Sequence, residues 1–281
     1  MMHWIHRRRT RFILTLATVF PAVLLLMFLL WLLQLGLPQL SWEFLVNLPS
    51  VDPMKAGVGA AISGTLLTAL LATLLTLPIG MGAALYLEEF SGRPLWVRLL
   101  EKNVAALAGV PSVLYGLVGL GVFVRWMELG RSSLSAGCTL ALLALPMIVI
   151  TSQEAIRGVD SGLRQAAVAL GASPYRILRN VILPNALPAM ISGSFLSMAR
   201  VMGEAAPLLV LGAWMYISFL PVEPMEPFTV LPVQIFHWGG HEHPFALGNA
   251  AAGVLILLFL LLLTRGWTLW LRKVLERRIS R

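Results

Sequence analysis

Six runs of apolar residues, at roughly 12–35, 58–87, 104–127, 134–155, 189–213 and 245–271, constrain this chain more than anything else in it. Each is long enough to cross a bilayer, because the hydrocarbon core is about 30 Å thick and an α-helix rises about 1.5 Å per residue. A soluble domain is excluded: 58% of the 281 residues are hydrophobic, 12% are charged, and the apolar ones are concentrated in these runs. The chain therefore reads as an all-α membrane protein with six transmembrane helices. The first run is too long, and its flanks too poor in a small-residue cleavage site, for a cleaved secretory signal, so it reads as a retained helix.

Orientation follows from the basic residues. Arg7, Arg8, Arg9 and Arg11 precede the first run; Arg93, Arg98 and Lys102 lie between the second and third; Arg157, Arg164, Arg176 and Arg179 lie between the fourth and fifth; six more follow Leu263. The other side holds Lys55, Arg125 and Arg131. Seventeen against three places both termini and the 156–188 loop in the cytoplasm, because basic loops stay on that side. The net charge of +8 is accounted for by these span ends, which face lipid headgroups; no basic face interleaved with aromatics suggests nucleic acid as a partner. Cys138, the single cysteine, cannot form an intrachain disulfide and reads as a small packing residue.

The 160–188 stretch is an amphipathic island between two spans. Asp160 or Ser161 can cap a short helix whose Leu163, Ala166, Ala167 and Leu170 recur on one face. Gly171 ends it, since glycine takes left-handed angles at little steric cost. Ser173 and Pro174 then open a second helix, with Ile177, Leu178, Val181 and Ile182 on one side and Arg176, Arg179 and Asn180 on the other. Pro184 and Pro188 lead from it into the fifth span. From the residues alone, a helical hairpin lying at the headgroup boundary fits as well as a docking element does.

Two spans carry unusual residues. In the third, Pro111 frees a carbonyl that a neighbour or water must satisfy, among small residues that allow close helix packing. In the fifth, Arg200 stands about twelve residues past Pro188, which predicts a position near the middle of the membrane. A charge there costs about 2.5–3.5 kcal/mol on insertion scales, so it must face protein or water. Glu204 is expected on the same helical face, four residues on, and can pair with Arg200. One carboxylate cannot occupy all five guanidinium donors; the surplus, with Ser192 and Ser197, would suit a tetrahedral oxyanion. An ion pair that only fixes helix packing is the alternative. Pro78 and Gly80 suggest either a kink in the second span or simple close packing. His237, His241 and His243, close together with Glu242, could form a metal site, but in a proline- and glycine-rich outer loop they read rather as solvated histidines, with no metal held.

Several motifs resemble a known family. Gln165-Ala166-Ala167, Gly171 and Val181-Ile182-Leu183-Pro184 are similar to the EAA loop of ABC importer permeases, with Gln165 where the family usually has Glu and Val181 where it usually has Ile. The resemblance narrows to the phosphate-specific, PstA-type branch at Ala108-Gly109-Val110-Pro111-Ser112 with Tyr115-Gly116, at Pro146 with Ser152-Gln153-Glu154-Ala155, at Arg200-x-x-Gly203-Glu204-x-Ala206-Pro207, and at the stretch 228–238. It covers nearly all of the chain after Gly57.

The resemblance implies a type I ABC importer (MetI-like) permease fold with a cytoplasmic coupling helix, in a bacterial inner membrane. The organisation would then be a basic tail, first helix and outer loop at 1–57, a permease core at 58–271 with the coupling loop at 156–188, and a basic tail at 272–281. It implies a phosphate pathway at Arg200, Glu204 and Ser197, and ATPase coupling through Gln165, Ala166, Ala167, Gly171, Leu183 and Pro184. The implied partners are a second, PstC-type permease subunit, PstB-type ATPase subunits and a PstS-type extracytoplasmic phosphate-binding protein. The chain has no G-x-x-x-x-G-K-[ST] run, so ATP and Mg would be bound by the ATPase subunits and this chain would hold no cofactor. Physics alone leaves open another oxyanion as cargo, or an ATP-independent anion transporter. An enzyme is the weakest alternative, because Glu204 has no nucleophile or base at helical spacing.

Overall fold

The computed structural model describes residues 2–92 and 94–279, with the backbone alone at 2–13, 276, 278 and 279. Arg93 and the side chains of Arg7, Arg8, Arg9, Arg11 and Arg278, all counted in the charge asymmetry, lie outside the described residues, as does Arg281. Apart from an isolated bridge between Ser132 and Pro227, the described residues form helices and their connections.

In chain order these are α1 (Met2–Gly36), α2 (Trp42–Val46), α3 (Gly59–Leu85), α4 (Leu95–Leu107), α5 (Ser112–Gly119), α6 (Ser133–Arg157), α7 (Ser161–Ala169), α8 (Pro174–Ile177), α9 (Leu183–Met202), α10 (Ala206–Leu211), α11 (Leu231–Gly239) and α12 (Pro244–Ile279). Three π turns continue helices: Tyr86–Phe90 after α3, Leu120–Trp126 after α5, and Leu178–Ile182 between α8 and α9. Five helical stretches are long and apolar enough to cross a membrane, at Leu14–Gln39, Gly59–Phe90, Ser133–Arg157, Pro174–Met202 and Pro244–Leu275. A sixth span exists if the bent pair Leu95–Leu107 and Ser112–Trp126 is counted as one. This is a multi-pass helical membrane protein.

Two of the expected spans take a different form. The third was expected to run straight through 104–127; instead α4 and α5 meet at a 102° bend. Pro111 is the cause. It lacks an N–H, so the carbonyl of Leu107 loses its helical donor, and here the chain turns at that point. The fifth span was expected at 189–213. It begins earlier, at Pro174, and ends earlier, at Met202. Its early start shows that Pro184 does not separate the island from the span. The π turn absorbs the proline: the amide of Leu183 bonds back five residues to Leu178, which makes room for a residue that cannot donate. Its early end follows from Pro207, which cannot donate to Gly203, so the chain breaks at Gly203 and restarts as α10. In the second span Pro78 lies inside an unbroken α3, and Gly80 lies close enough to Ile148 that a Cβ would stand 2.7 Å from it. Close packing is thus present there.

The core falls into three clusters along the bundle. Ala72 of α3, Ala136, Leu140, Ala144 and Ile148 of α6, and Met198 and Val201 of α9 interlock at mid-height with Leu208, Leu211 and Phe228. At one end Phe44, Val58, Leu231, Trp238 and Ala246 join α2, α11 and α12. At the other, Ala84, Leu87, Val97, Ile156, Leu178, Ile182 and Met190 join the ends of α3 and α6 to α4 and the root of α9. The connections at 127–132 and 213–230 share one end of the bundle, where Leu134 N–H donates to the carbonyl of Pro224. The 160–188 island lies at the opposite end.

α5 is seated by contacts that admit no side chain. A Cβ on Gly116 would stand 2.6 Å from the Pro207 carbonyl, and one on Gly119 would stand 2.1 Å from Thr139 Oγ1. That hydroxyl is buried and already donates to the Ser135 carbonyl at 2.8 Å. Gly121, one half-turn on, faces nothing within 4 Å. Gly119→Ala is therefore expected to cost about 1–3 kcal/mol, the usual range for overpacking, and to lower the thermal midpoint of the detergent-purified protein by several degrees. Gly121→Ala is expected to leave that midpoint within a degree.

Candidate functional site

The two helix breaks face each other. Between them lies a cavity of about 270 Å³, lined by Ala108, Gly109, Val110, Pro111 and Ser112 of the α4–α5 elbow, Leu143 and Met147 of α6, Ser197, Arg200 and Val201 of α9, and Glu204 just beyond it. The elbow is fixed from within. Tyr115, 5% exposed, donates its hydroxyl to the Leu107 carbonyl at 2.8 Å, and the Val110 amide donates to the same carbonyl at 3.0 Å. The acceptor that Pro111 frees is thus satisfied by protein, as a low-dielectric setting requires. The elbow is also where α5 begins, with Ser112 at the cavity.

Arg200 occupies the last turn of α9, beyond the midway position expected from a span starting at Pro188. It is an exposed side chain that makes no hydrogen bond or ion pair among the described residues. The expected pairing with Glu204 is corrected here. α9 ends at Met202, so Glu204 leaves the helix, its amide bonding to the Val201 carbonyl in a turn. The i, i+4 geometry that would have brought the two side chains together is absent. They share the cavity wall without an ion pair, and the guanidinium keeps all five donors free of protein acceptors. Ser197 is 5% exposed and donates to the Gly193 carbonyl at 3.0 Å, which leaves its oxygen lone pairs available. Ser192 donates to the Pro188 carbonyl and does not line the cavity.

Sequence reasoning assigned no binding role to the Ala108–Ser112 segment. The signal was present, since a proline between small residues inside an apolar run marks irregular backbone, and at membrane depth such backbone is tolerated where it is buried in protein or lines a cavity.

The island residues lie at the far end of the molecule. Gln165, Ala166 and Ala167 fall on α7, which is capped by Asp160 through a 2.8 Å bond from the Gly162 amide. Gly171 makes the elbow at φ +74°, and Leu183 and Pro184 form the first turn of α9, across that elbow. α7 buries none of its described residues, and Leu170 beside it is 88% exposed. The outer histidines stay close together, with the His237 and His241 rings 6.3 Å apart edge to face and the His243 amide donating to His241 Nδ1 at 3.3 Å. His237 Nε2 lies 2.7 Å from the Tyr216 hydroxyl; burial and the neighbouring His241 push its pKa down. His243 stands against Phe245. Among the described residues no three His, Cys, Asp or Glu side chains converge as metal ligands.

The chain aligns with PstA of Yersinia pestis, a phosphate transport system permease protein, at 30% identity over 265 residues, covering 92% of this chain and 87% of that one. It is 36% identical over 160 residues to PstA of Mycobacterium leprae, covering 57% and 52%. It is 29% identical over 174 residues to the probable ABC transporter permease protein YqgI of Bacillus subtilis, covering 62% and 59%. The chain thus spans between half and three fifths of the length of these last two relatives. Its fold is that of a chain in the inward-facing methionine ABC transporter MetNI, with a TM-score of 0.59, 18% identity, and coverage of 80% of this chain and 97% of that one. The sequence model of the binding-protein-dependent transport system inner membrane component matches residues 76–281, and with the alignment to the Yersinia protein along nearly the whole chain it follows that this chain belongs to that family of membrane permeases.

Proposed function

We propose that this chain is the PstA-type permease subunit of an ATP-driven phosphate importer in a bacterial inner membrane, with both termini in the cytoplasm. The observation that carries the reading is Arg200, an unpaired guanidinium on a cavity between two broken helices of a membrane bundle. A cation so placed stays out of lipid by facing water or cargo, and its planar fork matches phosphate oxygens. Ser197 and Ser112 add neutral partners suited to an oxyanion. Glu204, on the same wall, repels a bound anion, so the site holds cargo long enough to pass it and weakly enough to release it. The names of the phosphate permease relatives favour phosphate over other tetrahedral anions.

A cavity lined on one side by this chain would be completed by a second permease of the PstC type. The energy would come from PstB-type ATPase subunits that bind ATP and Mg, and the cargo from a PstS-type binding protein at the outer face. The exposed α7 with Gln165, Ala166 and Ala167, followed by the Gly171 elbow and the Leu183–Pro184 turn, is the element offered to the ATPase. Its outward Leu163, Val168 and Leu170 are 48%, 62% and 88% exposed, apolar area that a partner surface would cover. Movement there would reorient the cavity by shifting rigid helices against one another.

Arg200→Gln is expected to lower phosphate uptake by the assembled complex at least tenfold while all subunits still co-purify, and Arg200→Lys to retain part of the rate. Wild-type uptake by Arg200→Gln would return the arginine to a packing role. Gly171→Val places a β-branched residue at φ +74°, a strain of roughly 1–2 kcal/mol, although no atom obstructs its Cβ. It is expected to reduce the stimulation of ATP hydrolysis by the loaded binding protein. Unchanged stimulation would count against α7 as the coupling element.

A further inference from the structure

α7 is held to the bundle differently from the helices around it. Apolar burial fixes α3, α6 and α9, but α7 has no buried described residue, so the hydrophobic term that anchors a packed helix contributes little to it. What reaches inward from α7 is Arg164. Its Nη1 donates to Glu89 Oε1 at 2.7 Å, and its Nη2 donates to the Ile156 carbonyl at 2.8 Å. Glu89 belongs to the π turn that closes α3, and Ile156 to the last turn of α6. One guanidinium therefore ties α7 to the inner ends of two spanning helices that pack along each other.

The chemistry suits a mechanical joint. The fork of an arginine can hold two acceptors in fixed directions, and it does not lose its proton at physiological pH. The pair is partly withdrawn from solvent, with the Glu89 side chain 18% exposed and that of Arg164 30%, so salt weakens it less than a free surface pair. The receiving ends are also locked to each other. Gln153 Nε2 donates to Glu88 at 3.0 Å and to Glu101 at 3.1 Å, and Arg157 Nη2 lies 3.0 Å from Glu101 and 2.5 Å from Glu88. This binds the end of α3, the middle of α4 and the end of α6 into one block.

We propose that Arg164 is the positioning residue through which displacement of α7 is passed to α3 and α6, with the Glu89 carboxylate and the Ile156 carbonyl as its two points of attachment. The backbone before α7 runs through 158–160, where Val159 is buried with Ile156 and Leu178, and the backbone after α7 turns at the Gly171 elbow. Beyond Val159, the side-chain hydrogen bonds from α7 to the inner ends of α3 and α6 are, among the described residues, those of Arg164. The guanidinium makes α7 and the α3–α4–α6 block move as one body, so a stroke delivered to α7 reaches the helix that faces the cavity with Leu143 and Met147. The inference rests on the reading of α7 as the ATPase-facing element.

The test uses the assembled complex in proteoliposomes, with inorganic phosphate as cargo. Arg164→Gln and Glu89→Gln are each expected to keep the ATPase subunits bound through purification, yet to lower phosphate taken up per ATP hydrolysed at least tenfold. The reversed pair, Arg164→Glu with Glu89→Arg, is expected to recover that ratio at least threefold over either single variant, a rescue that damage to the fold would not give. A ratio within twofold of wild type in the single variants, or a reversed pair no better than they are, overturns the proposal. So does release of the ATPase from the Arg164→Gln complex, which would make Arg164 a docking residue. The docking reading is checked separately: Leu170→Cys in a Cys138→Ala background is expected to cross-link to an ATPase subunit, and its failure to do so would overturn that reading whatever the single variants show.

Discussion

A carbonyl released by proline inside an apolar bundle must find a donor within the protein, and this requirement shapes the centre of the molecule. Pro111 releases the Leu107 carbonyl, and the buried Tyr115 hydroxyl and the Val110 amide take it up. The solution carries its own geometry, because a tyrosine one turn into α5 can reach back to the end of α4 only when the two helices are sharply folded. The 102° bend is thus the shape in which that hydrogen bond closes. Gly116 and Gly119 then let α5 settle against Pro207 and Thr139, which brings the second break, at Gly203, opposite the first.

Two interrupted helices meeting at one height produce what a regular bundle lacks, a polar recess inside an apolar wall. Regular helices consume their own backbone polarity and leave side chains alone to meet a ligand. Here Ser112 at the start of α5, the Ser197 oxygen and the Arg200 guanidinium all line the recess. The break after Met202 also separates Glu204 from Arg200. Had α9 continued, the carboxylate would have neutralised the guanidinium directly. Displaced from the helix, it shapes the field of the recess and leaves the cation unpaired.

Much of this was legible in the sequence, and the part that was not has a physical explanation. Apolar run length identified the spans, because the bilayer imposes it. Asp160, Gly171 and Ser173-Pro174 marked the ends of the island helices, because caps act within a few residues and need no tertiary information. The prolines were harder to read. Pro111, Pro184 and Pro207 are the same residue with the same missing amide, yet the first folds the chain back, the second vanishes into a π turn, and the third ends a helix. What distinguishes them is the partner available to the freed carbonyl, and that partner is set by neighbours distant in sequence. The supposed pairing of Arg200 with Glu204 failed for this reason, since it assumed a helix that Pro207 stops. The ion pairs joining Glu88, Glu89 and Glu101 to Arg157 and Arg164 link residues more than fifty positions apart, and no local pattern announces them.

The π turn at Leu178–Ile182 bears on how this helix could have arisen. A π turn accommodates one residue more than the α-helical winding on either side of it. Removing a single residue there would restore regular winding and leave the helix on either side in its present register, because the turn itself takes up the extra residue. The same arithmetic run backwards describes a one-residue insertion into an older, straight helix, tolerated because the bulge confined the shift to one turn and gave Pro184 a place to sit. Chains of this type can therefore differ in length by one residue at that turn while keeping the cavity side of α9 in register.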